Sequence, residues 1–232
     1  MLLSKFCLKV VALHKIEMLG RSHMNSTKNT IYQVTEWITR FAYLNVLWVA
    51  FTLLGIVFLG LFPATTAMFS VCRKWLRGHT DVPVFRTFWE YYRKDFVKSN
   101  LMGVFVWLIA ALIAADIFYL LTLDAAQLGW TSIPLFAFML LVLLFLFYLF
   151  PTFVHYDIKV PQVLKNSFLL MLINPIHSLL ILFCLVPLFL IMQALPALAF
   201  IFGASSYAFI TMWISLNAFN KTAGKNTSEL PQ

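Results

Sequence analysis

Residues 166–220 read NSFLLMLINPIHSLLILFCLVPLFLIMQALPALAFIFGASSYAFITMWISLNAFN, without one Asp, Glu, Lys or Arg. A membrane-spanning helix takes about 20 mostly apolar residues. This run therefore holds two, over about 176–193 and 196–219, with a turn at Gln193-Ala194-Leu195-Pro196. Composition agrees along the whole chain. Of 232 residues, 62% are hydrophobic and 11% charged, and mean hydropathy is +0.86. Soluble domains carry about a quarter charged residues, so the solvent for this chain is the bilayer. The expected fold is an all-α, polytopic transmembrane bundle over 31–220, with an extension over 1–30 and a tail over 221–232.

Two further charge-poor runs extend the pattern. Between Ser99 and Ile158 there is no Lys or Arg. That run predicts spans over about 101–122 and 131–154, turning at Asp124 to Thr131, where Gly129 and Trp130 suit an interfacial loop. Phe41 to Cys72 carries no charge either, but its length falls between one span and two. Extended from Val34 to Arg77, it admits a tight hairpin broken at Gly60-Leu61-Phe62-Pro63, with Pro63 in the first turn of the second helix. The preferred count is then six spans, with five as the alternative.

The cations are sorted. Seven of the 17 Lys and Arg fall in Arg73 to Lys98, Lys159 and Lys165 follow, and Lys221 and Lys225 lie in the tail. The turns near 61, 127 and 194 have none. Under the positive-inside rule six spans place both termini and both long loops in the cytoplasm, in a multi-pass protein of the cell membrane. Five spans would put Lys28 and Arg40 outside. Residues 1–23 fit no targeting type: Lys5, Lys9 and Lys15 interrupt any apolar core. Codons for Gly20-Arg21-Ser22 can contain AGGAG, a ribosome-binding sequence, so translation is expected to start at Met24. The alternative is a basic, partly amphipathic extension.

Few residues carry chemistry. At 100° per residue Phe85, Phe88, Trp89, Tyr92 and Phe96 form one stripe of the segment Val84 to Lys98. Arg86, Glu90, Arg93, Lys94 and Lys98 cover the other face, with Glu90 to Lys94 an i,i+4 pair. Asp81 and Pro83 suit its start. The segment reads as a helix flat in the interface, either a docking surface for a partner or acidic lipid, or a structural elbow into the next span. Arg73, Lys74, Trp75 and Arg77 read as a membrane anchor. Lys159 to Leu172, opening at Pro161, reads as a second interfacial helix.

Asp116 is the acid well inside a span, about 12 Å from the outer turn by helical rise. No basic residue is expected at that depth. An unpaired carboxylate there costs several kcal/mol, so it should be protonated, hydrogen-bonded or wetted. It is a proton- or substrate-linked site, or else a carboxyl bonded to a neighbouring helix. His155, Asp157 and His177 are a weak metal signal at loop spacing. Ser205-Ser206, in Gly203-Ala204-Ser205-Ser206, lacks the Gly-x-Ser-x-Gly elbow and reads as close helix packing. Cys7, Cys72 and Cys184 have no disulfide or zinc spacing. Asn25-Ser26-Thr27 and Asn226-Thr227-Ser228 fit the glycosylation sequon but are silent in the cytoplasm. No phosphate loop, dinucleotide fingerprint, kinase set or HExxH occurs. The expectation is a non-enzyme without cofactor, metal or nucleic-acid partner.

Glu36-Trp37-Ile38 leading into Tyr43-Leu44-Asn45-Val46-Leu47-Trp48 resembles the bacterial YesL-like family of integral membrane proteins. So do Phe62-Pro63-Ala64-Thr65-Thr66-Ala67-Met68-Phe69, the Arg73-Lys74-Trp75-Leu76-Arg77-Gly78 end, Phe85-Arg86-Thr87-Phe88-Trp89, and Asp116 within its span. The resemblance covers about 30–220 and brings no catalytic residues to carry over. It implies a link to carbohydrate utilisation, since proteins that look like this one are often encoded beside oligosaccharide ABC-transport and pectin- or rhamnogalacturonan-degrading proteins. An ABC permease carries a Glu-Ala-Ala loop for its ATPase, and this chain has none. The reading is a protein accessory to oligosaccharide uptake, with an ABC-type transporter as partner. The alternative is a small autonomous transporter working through Asp116.

Overall fold

The computed structural model describes residues 32–122 and 128–228. The extension, the Met24 start, residues 123–127 of the expected turn and the last four residues lie outside them. The chain divides into two units, 1–42 and 43–232. In the first, Arg40 donates to Glu36 at 2.5 Å, and its guanidinium stacks over Trp37, 5.5 Å from the ring centre.

Among the described residues there are eight helices and no strand. They are α1 Tyr32–Leu54, α2 Phe58–Leu76, α3 Val84–Lys94, α4 Phe96–Thr122, α5 Leu128–His155, α6 Val160–Ile173, α7 Pro175–Ala194 and α8 Pro196–Ser228. The expected turn at 193–196 is the single residue Leu195, before a Pro that can open a helix but not continue one. The expected tail from 221 begins inside α8. The protein is an all-α membrane bundle.

Five described helices are long and apolar enough to span: Tyr32–Leu54, Phe96–Thr122, Ser132–His155, Pro175–Ala194 and Pro196–Thr222. These match the five-span alternative rather than the preferred six. The hairpin expected at Gly60–Pro63 does not form. The chain breaks instead at Gly55-Ile56-Val57, and Pro63 lies inside α2 rather than in its first turn. A Cβ on Gly55 would strike Gly60 Cα, so these two glycines let the chain fold back on itself. Ile56 and Val57 hold φ of 56° and 54°, positive values that β-branched residues rarely adopt. The turn still satisfies its donors: Gly55 N–H reaches Phe51 O, Ile56 N–H Leu53 O, Val57 N–H Thr52 O and Phe58 N–H Ile56 O. Backbone amides in a bilayer have no water to bond, so such closure is what allows a turn there.

Polar contacts show which helix ends meet. Lys98 Nζ lies 2.8 Å from Asp157 Oδ1, joining the start of α4 to the exit of α5. The His155 and Phe219 rings are 4.7 Å apart, bringing in the end of α8. Asn174 Nδ2 donates to Thr222 Oγ1 at 3.2 Å, bringing in the start of α7. We call this the charged end. The start of α8 therefore belongs to the far half, where Asn45 of α1 donates to Phe200 O at 2.6 Å and accepts from Ser205 N–H at 3.2 Å.

α2 does not cross to the far end. Its first residues pack on the first half of α4, with Phe58 and Trp107 rings 5.7 Å apart and Gly103 pressed on Phe62. Its last turn reaches the exit of α5 through Arg73. Both its ends thus lie in the charged half. Ala64, Ala67, Phe69, Val71 and Cys72 are fully buried, covered by protein on all sides. α6 is lodged in the same half, with Val160 and Val163 packed among Met102, Leu149 and Phe153.

Candidate functional site

The charged end gathers most of the residues singled out in the sequence. α3 forms where the aromatic stripe requires it, but its stripe is divided. Phe88 is fully buried and Tyr92 nearly so, whereas Phe85 and Trp89 are 51% and 39% exposed. Phe51 of α1 is the shared partner. Its ring lies 6.2, 5.2, 5.4 and 5.1 Å from Phe85, Phe88, Trp89 and Tyr92, and its carbonyl accepts from Tyr92 Oη at 3.3 Å. The expectation of a stripe turned wholly to lipid is corrected: half of it holds α1 and α2. The helix also ends at Lys94 rather than Lys98. Asp95 interrupts it, and Phe96, edge-on to Tyr92 at 5.6 Å, opens α4. Asp81 does not cap α3, since Pro83 holds the cap position. Arg86, Glu90, Arg93 and Lys94 face outward, with the Arg93 guanidinium 5.5 Å from the centre of the Trp89 ring.

Two of the four residues expected to anchor the chain, Arg73 and Trp75, turn into the protein. Arg73 donates to Val154 O at 2.9 Å and His155 O at 3.3 Å. It places its charge on the carbonyl end of α5, where a helix dipole favours a cation. Trp75 is 3% exposed, so it is a core residue rather than an interfacial one. Lys74 lies over the Tyr91 ring at 5.1 Å, and Arg77 remains exposed.

His155 and Asp157 have separate partners. His155 packs edge-on against Tyr156 and Phe219. Asp157 takes Lys98 at 2.8 Å and Lys94 at 3.9 Å. The Lys98 hydrogen bond, then the charges of Lys98 and Lys94, hold its carboxyl below the usual carboxylate range. Asp95 goes the other way. Burial raises it, outweighing Lys94 and Lys98, and Asp157 adds to the rise. His177 stands in the first turn of α7. Among the described residues no cluster of three His, Cys, Asp or Glu could hold a metal ion. Cys72 is buried and Cys184 half-buried, both as free thiols.

Beyond the charged end the bundle opens into apolar grooves. One of about 330 Å³ lies over α2 and is lined by Trp48, Phe62, Met68, Trp107, Phe150 and Tyr207 among others. A second, of about 410 Å³, lies between α5, α7 and α8 around Phe147, Phe189 and Tyr207. Trp48 Nε1 donates to Thr65 Oγ1 at 3.0 Å, so the indole N–H at the first groove is already used. Asp116 stands further along α4, half-buried. Its Oδ2 is screened from solvent and has no hydrogen-bond partner among the described residues.

The family described as "Protein of unknown function, DUF624" matches residues 41–117. Three proteins of Bacillus subtilis (strain 168) resemble the chain over most of their length. "Uncharacterized protein YteU" is 41% identical over 182 residues, 77% of this chain and 80% of that protein. "Uncharacterized protein YesL" is 39% identical over 160 residues, 68% and 74% of the two chains. "Uncharacterized protein YesV" is 32% identical over 204 residues, 85% and 95%. This chain belongs to the YesL-like family. No solved structure matches it. The matched stretch 41–117 begins near the middle of α1, takes in α2 and α3 whole, and reaches Asp116 on α4.

Three contributors were missed in the sequence. Asn45 was legible in principle, as a lone amide in an apolar helix. Phe51 was not, because one Phe among 24 carries no sign of its neighbours. The role of Arg73 as a cap on α5 depends on a contact 81 residues away.

Proposed function

We propose that this YesL-like protein is a non-enzymatic component of a bacterial cytoplasmic membrane that assists or regulates oligosaccharide uptake, docked on an ABC-type transporter. The observation that carries this reading over an autonomous transporter is the lining of the grooves. Trp48, Phe62, Met68, Trp107 and Phe150 offer contact area but few hydrogen bonds. An oligosaccharide stripped of water there would leave its hydroxyls unsatisfied, at about 1–3 kcal/mol each. Arg86, Arg93 and Lys94 on the outward face of α3 supply a cationic surface for a partner. The test is genetic: deletion should lower oligosaccharide uptake only while the partner transporter is present. An equal loss in a strain lacking that transporter would refute the accessory role.

The second reading is the autonomous transporter, favoured by the unpartnered Oδ2 of Asp116. It requires substrate accumulation in liposomes holding this protein alone, driven by a proton gradient and abolished in Asp116→Asn.

For orientation, the cations at 73–98, 159 and 165 put the charged end in the cytoplasm. If the five candidate spans among the described residues are all that cross, the carboxyl terminus lies inside and the amino terminus outside, the alternative to two cytoplasmic termini. A reporter after Lys225 should read cytoplasm and one after Lys28 the exterior. A cytoplasmic signal at Lys28 would restore an even number of spans.

A further inference from the structure

We propose that residues 58–62, the first residues of α2, form a gate between two apolar grooves, opened when the break between α1 and α2 moves from Gly55-Ile56-Val57 to Gly60-Leu61-Phe62. One groove is that of about 330 Å³ around Trp48, Met68 and Tyr207. The other, of about 370 Å³, lies over the start of α4 between Phe58, Leu59, Val97 and Leu101. Phe62 and Trp107 line both. Their rings meet edge-on at 6.3 Å, and the Phe58 ring lies 5.7 Å from the same indole. These contacts are the wall between the grooves.

The break that holds this wall in place is strained. Val57 has φ 54° and ψ −63°, and Phe58 N–H bonds Ile56 O at 2.6 Å. Together these make a γ-turn of positive φ, a rare and strained conformation, here centred on a β-branched residue. Backbone of this kind persists only where its surroundings hold it, and it clusters at switch regions. The hold consists of Gly60 against Gly55 and the Tyr92 hydroxyl on Phe51 O at 3.3 Å. Ile56, Phe58 and Leu59 are 77%, 67% and 54% exposed, so the segment has room to move. Pro63 adds a second cost, because inside α2 it has no N–H to offer the Leu59 carbonyl.

The same residues allow a break without either cost. With α1 continued through 55–59, Ile56 and Val57 take ordinary helical angles. Gly60 then stands just past the helix end, where glycine is favoured. Pro63 opens α2, where its missing N–H is no loss. The rest of α2 stays fixed by Phe69 on Phe150 and by Arg73 on α5. The closed form keeps its ring contacts on Trp107, and the open form sheds the strain. Moving the break carries Phe58 and Phe62 off Trp107 and joins the two grooves.

The test is a spin-label distance measurement on full-length protein in lipid nanodiscs. Cys7, Cys72 and Cys184 are replaced by Ala, and the labels sit at Leu59→Cys and Leu112→Cys, both exposed positions. This background should give two distances, one matching the closed break and a less populated one displaced from it. Val57→Gly relieves the γ-turn and weakens the helix that would replace it, and Pro63→Ala restores the missing bond of α2. Each should lower the share of the second distance, Val57→Gly by roughly tenfold. Gly55→Ala acts the other way. Its Cβ would strike Gly60 Cα and bar the closed break, while alanine favours the continuous helix, so the second distance should become the main one. Should Gly55→Ala fail to fold, Val57→Gly and Pro63→Ala still decide. A single distance in the background protein, a second distance whose share neither Val57→Gly nor Pro63→Ala lowers, or a folded Gly55→Ala at the closed distance would each overturn the proposal. None of these readouts involves uptake, so their failure leaves the accessory role standing.

Discussion

The two halves of this bundle are differently held. In the charged half Phe69, Phe88, Met102 and Tyr148 are fully buried, while in the far half Phe118, Phe189 and Phe200 are 70%, 66% and 74% exposed. Water cannot explain the difference, since lipid is as apolar as any of these side chains and does not drive helices together. What differs is that α2, α3 and α6 fill the space between the spans on one side only. They are fixed there by ring stacking, by Arg73 on the carbonyls of α5 and by Lys98 on Asp157. In the far half the amide of Asn45 ties α1 to α8.

This contrast can be broken from either side. Phe69 stacks on Phe150 at 5.5 Å and meets Tyr207 edge-on at 6.1 Å. Phe69→Ala should cost about 3–5 kcal/mol, whereas Phe118→Ala, in the lipid-facing far half, should stay within about 0.5 kcal/mol. Reversible unfolding of the detergent-solubilised protein measures both, and similar losses would erase the distinction. Arg73→Met removes two hydrogen bonds to the α5 terminus and should cost about 1.5–3 kcal/mol, with faster exchange of amides around 152–156. Asn45→Leu should cost about 0.6–2 kcal/mol, seen as increased cross-linking freedom between α1 and α8.

The smallest effects are those of pH. Asp157 is depressed by its lysines, so its stabilising pairing is present above the unfolded carboxylate value of about 3.9 and disappears as pH falls through the lower folded value. Asp95 is raised by burial, so its ionisation destabilises the fold above its folded value, and that penalty lifts as pH falls. Asp157→Asn should therefore lower stability at pH 7 by less than about 1 kcal/mol, and Asp95→Asn should raise it. The same sign for both would show that they do not share one electrostatic cluster.

Much of the far half was legible in the sequence, and much of the charged half was not. α7 and α8 follow from a run without charge and a Pro at its middle, and α6 from its opening at Pro161. The α3 stripe was found because aromatic spacing is a property of one helix. α2 misled, because hydropathy measures how apolar a segment is and not what covers it. Its sequence did hold the signal. Gly60, Ala64, Thr65, Thr66, Ala67 and Ser70 are small or hydroxylated, and Thr65, Thr66 and Ser70 bond back to their own helix at 2.7, 3.0 and 2.8 Å. Residues of that kind suit close contact with other helices better than contact with lipid. Asp116 was singled out from the sequence, but that its Oδ2 lacks a hydrogen-bond partner among the described residues required the neighbouring helices to be seen.

The bond between Asn45 and α8 also sets a timetable. Its two ends are separated by 160 residues, and a ribosome adds about 5–20 residues per second. The first helix therefore enters the membrane roughly 8–32 s before the backbone its amide is built to hold exists. Throughout that interval Asn45 must be shielded by water at the insertion site or by a helper. In a strain short of such a helper, Asn45→Leu would be made in better yield than the wild type, though it forms the weaker protein once finished.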